Sequence, residues 1–264
     1  CTLIRFLVDP SLAISKKDFY KSVIKSFILL TGFFIFSTSA YSKDNHQYLT
    51  KRPYVVVLGT TQDGGYPHAG CVKQCCKNAW RVDSLRKMVT SIAIIDPKIG
   101  LAWMIDATPD FAKQYHLISN NYGVRLAGIF LTHAHIGHYS GLAQLGREVM
   151  GAKNIVVYAM PRMKKYLEKN GPWSQLVSQK NIILSPLIEN KEILLSRNLL
   201  IEPFLVPHRD ELSETVGFNI IGPNESMLYI PDIDKWEKWN HDILFWVESN
   251  TYALLDGTFY YDDE

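Results

Sequence analysis

Leu131-Thr132-His133-Ala134-His135-Ile136-Gly137-His138 places three of the chain's eight histidines within six residues. The stretch follows Leu126 to Leu131, a short apolar run that reads as a buried strand. The cluster therefore sits where a strand leaves its sheet, just ahead of a helical pattern from Tyr139 to Met150. Residues two apart in extended chain project to the same side, so His133 and His135 face one way, and a turn through Gly137 brings His138 back beside them. Three neutral imidazoles that converge in this way suit zinc or iron better than calcium or magnesium. Surface or packing histidines are the alternative, but imidazoles crowded at a strand end are costly to bury without a ligand.

Outward from this point the chain keeps the same texture. Short apolar runs that read as strands lie at Tyr54 to Gly59, Ser91 to Ile95, Leu101 to Ile105, Asn154 to Tyr158, Leu199 to Val206, Thr215 to Ile221, Met227 to Ile230 and Thr251 to Leu255. Helical patterns lie at Pro109 to Ser119, Pro161 to Asn170 and Trp236 to Trp246. No long Pro- or Ser-rich linker interrupts them, and no short repeat recurs, so residues 43–264 read as one domain of layered sheets and helices.

Composition bounds the class. With 264 residues, 47% hydrophobic and 20% charged, the chain can bury a sizeable core. A net charge of +2 without a basic stripe argues against nucleic acid as a partner. Ser26 to Ser37 is an apolar run, with Lys16, Lys17, Lys21 and Lys25 before it and Ser37, Thr38, Ser39, Ala40 and Ser42 at its end. This is the layout of a secretory signal peptide, too short to span a bilayer comfortably. Residues 1–42 are set apart on this ground, and a periplasmic or extracellular protein is expected, touching a membrane only if the segment stays uncleaved. No Met precedes Met88, and the chain reads as a piece of a longer reading frame.

The His cluster in its strand-to-helix position resembles the signature of the metallo-β-lactamase superfamily, His-x-His-x-Asp-His. The resemblance runs along nearly the whole of residues 43–264. Within the superfamily, Thr60 to Cys76 (TTQDGGYPHAGCVKQCC) and Leu254 to Glu264 (LLDGTFYYDDE) look most like the family of pyrroloquinoline quinone biosynthesis protein B. It implies an α/β fold, the αββα sandwich of two facing sheets with helices outside and a metal site on one rim. It also implies roles residue by residue. Asp106, ending WMID, matches the carboxylate that holds a ligand histidine from behind. His208, after IEPFLVP, matches the next histidine ligand, and Asp232, after MLYIP, the carboxylate at a second ion. Asp232 could instead cap the Trp236 helix, and Asp234 competes for its role. Asp256 resembles a supporting group near the site. His46, His116 and His241 have no such context.

Two departures stand out. Gly137 occupies the place of the family's Asp, which commonly ligates the second metal, and a carboxylate restored there is expected to raise the amount of metal bound. A further histidine expected beyond DGTF is missing, so the domain is read as incomplete at its C-terminus. The conservative site is one ion on His133, His135 and His208, with His138 and Asp232 as partners of a second. The leading function is a metal-dependent hydrolase acting on a small-molecule ester, amide or phosphoester, with zinc, in one or two ions, or iron as the metal, and Asp232 as the group that orients water or takes its proton. An iron-dependent oxygenase of quinone-cofactor biosynthesis and a non-catalytic metal-binding protein are the alternatives.

Away from that rim, Cys71, Cys75 and Cys76 crowd into one loop with His68 three residues upstream. A structural zinc held by the three thiolates and His68 is the favoured reading, and a disulfide from Cys71 to one of its neighbours is the alternative.

Overall fold

The computed structural model describes residues 51–258. The leader segment 1–42, the domain start at 43 and His46 lie outside them. The strands are β1 (Tyr54–Gly59), β2 (Ser91–Asp96), β3 (Leu101–Ile105), β4 (Arg125–Phe130), β5 (Ile155–Ala159), β6 (Ile182–Pro186), β7 (Ile193–Ser196), β8 (Leu199–Leu205), β9 (Val216–Ile221), β10 (Ser226–Ile230) and β11 (Tyr252–Leu255). The α-helices are α1 (Gln74–Lys77), α2 (Phe111–His116), α3 (Ile136–Tyr139), α4 (Pro161–Lys169), α5 (Trp173–Ser178) and α6 (Ile243–Glu248).

Two sheets result, one in the order β1-β2-β3-β4-β5-β6 and one in the order β11-β10-β9-β8-β7. The first begins antiparallel and becomes parallel from β3 onward. The second is antiparallel except for the β10/β11 pair. Alternation along the strands builds the layers. In β2, Ile92 and Ile94 face the second sheet, while Ala93 and Ile95 face the helices; in β3, Trp103 and Ile105 divide from Ala102 and Met104 in the same way. Both faces of the first sheet are thus buried, which explains why its strands read as continuous apolar runs. Phe111, Leu142, Met163 and Leu167 cover its outer face. Phe218, Val216, Ile201 and Tyr229 meet it from the second sheet. On the far side of that sheet, Phe204, Leu228 and Ile230 pack under Trp239 and Trp246. The expected αββα sandwich is present.

The elements differ from expectation in four places. The helix expected over Tyr139 to Met150 is the single turn α3 followed by a 3-10 turn, Ser140–Leu145. Gly141 lies so close to Thr108 that a Cβ would come within 2.1 Å of its carbonyl oxygen, which pins the chain too tightly for a long regular helix. The pattern at Trp236 to Trp246 is also broken, into a 3-10 turn at Trp236–Lys238 and α6. Strands β6 and β7 were not expected; both are short, and only one residue in the pair is buried. Helices α1 and α5 likewise lie in stretches that carried no such expectation. Among the described residues no helix is long and apolar enough to cross a membrane.

Candidate metal centre

The rim is built on the ends of β3 and β4. Asp106, the residue after β3, adopts φ 68°, a left-handed conformation that Asp tolerates better than most residues. This turns its carboxylate, fully buried, toward the end of β4. There it accepts hydrogen bonds from the Thr132 amide (2.8 Å) and hydroxyl (2.9 Å) and lies 2.7 Å from His138 Nδ1. The amide of Ala107 donates to the His138 carbonyl at 2.8 Å, so the backbone of α3 is tied to the same corner. His138 therefore presents Nε2 to the rim.

Around that corner the imidazoles gather. His133 Nε2 lies 2.9 Å and His208 Nε2 3.1 Å from His135 Nδ1. His208 comes from beyond β8 in the second sheet, and the two loops are stapled together: the Ala134 amide donates to Ser213 Oγ at 2.8 Å. His133, His135 and His208 form one group of converging ligand atoms, and His133, His138 and Asp232 a second, each within 4.8 Å. Asp232 Oδ2 sits 2.9 Å from His138 Nε2, yet it is buried without a hydrogen bond. An orphaned carboxylate oxygen beside imidazole nitrogens aimed at one another is the donor arrangement that a cation satisfies, so these residues fit a metal ion.

Electrostatics agrees with that fit. Burial, reinforced by the positive charges of His138, His135, His208 and Arg209, holds His133 well below the ordinary histidine value and so neutral, the form that ligates. Burial also lowers His208, against the opposing charge of Asp232. His138 is different: burial pushes it down, but Asp232 and Asp106 together carry it well above the ordinary value. Its Nδ1 lies 2.7 Å from Asp106 and its Nε2 2.9 Å from Asp232.

The remaining expected residues divide. Asp256 accepts from the Ile233 amide at 3.2 Å and from the Thr258 amide at 2.9 Å, and so braces the loop that carries Asp232. Asp232 does not cap the Trp236 turn, whose N-cap is Lys235 without a side-chain bond. Asp234 pairs with Lys238 instead of joining the cluster. His116 is exposed at the end of α2, and His241 packs its ring against Trp239 and Trp246.

Cys71, Cys75 and Cys76 do come together, their sulfurs within 4.8 Å of one another. His68 does not join them. Its ring lies over Gly64, where a Cβ would come within 2.3 Å of the imidazole, so the proposed fourth ligand is directed elsewhere.

One residue of the rim was missed. Asp63, in the glycine-rich loop after β1, places Oδ1 3.0 Å from His138 Nε2. Burial alone would raise its carboxyl, but the hydrogen bond and charge of His138, with the charge of His135, hold it below the ordinary range. The sequence signal was available: an acid in TTQDGG, beyond a strand of the same sheet, in a chain whose motif lacks one.

A family model described as the beta-lactamase superfamily domain matches residues 103–264, and the chain belongs to the metallo-β-lactamase superfamily. Within it the chain lies close to coenzyme PQQ synthesis protein B. It is 25% identical over 231 residues to that protein from Xanthomonas campestris pv. campestris (strain B100), covering 80% of this chain and 74% of the relative. With the Methylorubrum extorquens (strain PA1) protein it shares 26% over 235 residues, covering 80% and 75%. Among solved structures, zinc-bound PqqB from Methylobacterium extorquens matches with a TM-score of 0.59 at 22% identity, over 69% of this chain and 67% of that one. A diphosphatase from the PhnP family matches with 0.51 at 22%, over 70% and 67%. These structural likenesses are likenesses of fold.

Proposed function

We propose that the protein is a metal-dependent hydrolase of a small-molecule ester, amide or phosphoester. The convergence of His133 Nε2, His135 Nδ1 and His208 Nε2 carries this reading. Zinc suits the nitrogen-rich set. When bound, the ion supplies an acidified water as nucleophile and polarises the oxygen of the scissile group. The three histidines would hold it; Thr132 steadies the His133 ring from behind, and Asp106 fixes the neighbouring His138. Asp232, with one oxygen buried and unbonded, is the group that orients the attacking water or takes its proton. The leader-like segment 1–42 supports an exported protein. The test is elemental analysis of the purified chain, followed by phosphodiester and lactone hydrolysis measured beside oxygen uptake. Zinc with hydrolysis is expected; iron with oxygen uptake and no hydrolysis would replace this reading with an oxygenase.

The Cys71, Cys75 and Cys76 cluster supports a separate structural zinc, with its fourth position filled by something other than His68. Replacing Cys71 and Cys75 together by Ser is expected to release about one zinc per chain and lower the melting temperature, while the metal at the histidines stays. Full metal retention, together with a disulfide detected in the unaltered protein, would show a cross-link instead.

A further inference from the structure

We propose that Asp63 is the carboxylate ligand of a second metal ion, held with His138 and Asp232, and that it replaces the motif carboxylate absent at Gly137. The inference rests on the rim being a metal centre, as proposed above, and adds the ligand that makes it dinuclear.

Three observations converge on it. First, His138 Nδ1 is committed to Asp106 at 2.7 Å, leaving only Nε2 for the rim. Against that single nitrogen stand two carboxylates, Asp63 Oδ1 at 3.0 Å and Asp232 Oδ2 at 2.9 Å. One N–H serves one acceptor well, and Asp232 Oδ2 is in fact left buried with no hydrogen bond. Two acids beside one imidazole nitrogen offer mixed oxygen and nitrogen donors of the kind that suit a divalent transition-metal ion.

Second, the space decides which residue supplies the acid. A Cβ built on Gly137 would lie 2.5 Å from Asp63 Cα and 2.6 Å from its Oδ1. The backbone of residue 63 occupies the room that a side chain at 137 would need. Glycine at 137 is thus the counterpart of aspartate at 63, and the two positions exchange a single carboxylate between α3 and the loop after β1.

Third, that loop is fixed. The amides of Thr60 and Thr61 both donate to the Met88 carbonyl, at 3.0 and 3.2 Å, and the Thr90 amide donates to the Thr61 carbonyl at 2.7 Å. Tyr66 and Lys87 exchange backbone hydrogen bonds on the other side of Asp63, and the Gly65 amide donates to the Gln62 carbonyl at 2.7 Å. A ligand on a tethered loop is presented at a defined place.

The test uses the full chain stripped by a chelator, then titrated with zinc and followed by calorimetry and elemental analysis. Asp63→Ala and the near-isosteric Asp63→Asn are compared with the unaltered protein. Both variants should bind one ion fewer at the rim, or bind the last one more weakly by more than the roughly 100-fold that loss of an outer hydrogen-bond partner costs. The ion at His133, His135 and His208 and any cysteine-bound zinc should be unchanged, which certifies the fold. Gly137→Asp should likewise lose the last ion, because its side chain displaces residue 63. Equal stoichiometry and affinity in both Asp63 variants, a gain of metal in Gly137→Asp, or a single rim ion in the unaltered protein would each overturn the role of Asp63 while leaving a mononuclear hydrolase standing. A rim that takes no zinc at all would overturn both.

Discussion

His133→Ala is expected to strip the rim of nearly all its metal and the protein of its activity, a larger loss than any other single histidine change gives. The reason is position. His133 belongs to both groups of converging ligand atoms, the one with His135 and His208 and the one with His138 and Asp232. Its side chain is buried and its ring neutral, the form that ligates. His135→Ala and His208→Ala each touch only the first group. His116→Ala, on an exposed site at the end of α2, should change neither metal content nor rate. Elemental analysis and the hydrolysis assay on the four variants decide the matter: a His116 variant as damaged as the His133 one would mean that the histidines have been partitioned wrongly.

Asp106→Ala is expected to cost about 3–5 kcal/mol of folding stability, the range for removing one partner of a buried charged pair. The carboxylate accepts from the Thr132 amide and hydroxyl and from His138 Nδ1, so three donors lose their acceptor together. Alanine at φ 68° adds a backbone penalty of about 1–2 kcal/mol. Asp106→Asn separates the two roles. Asparagine tolerates the left-handed backbone and keeps the shape, but it cannot accept from every donor, so the fold should survive while metal affinity falls about 10–100-fold. Denaturant unfolding of the metal-free proteins, with metal titration alongside, measures both. A loss below about 1 kcal/mol in the alanine variant would show that Asp106 does not hold this corner.

Much of this was legible because it is local. The apolar runs of β2 and β3 and the one that ends at Leu131 are read along the chain, and they mark the strands beside whose ends Asp106 and the histidines lie. The elements that escaped are those fixed by contacts from elsewhere. Strands β6 and β7 are half-exposed sheet edges whose apolar runs, Ile182 to Leu184 and Ile193 to Leu195, are short. The helix expected after Tyr139 yields to the close approach of Gly141 to Thr108. Asp63 meets His138 from 75 positions away, and its importance shows only when the backbone beside Gly137 is seen to be occupied. A glycine in a ligand motif can thus mark a donor that has moved as readily as one that has been lost.

The candidate metal-site residues come from both halves of the sandwich. His133 and His135 follow β4 of one sheet, while His208 and Asp232 follow β8 and β10 of the other. Between the sheets lies an apolar layer, Ile92, Ile94 and Phe130 against Val216 and Phe218, crossed by a few polar links such as Ser196 Oγ to Asp96 and the Val216 amide to the Thr132 carbonyl. An ion gripped from both sides acts as a rivet through the two sheets at one end. Prising the sandwich open there would then also loosen the ion, so filling the rim would stiffen that end of the core.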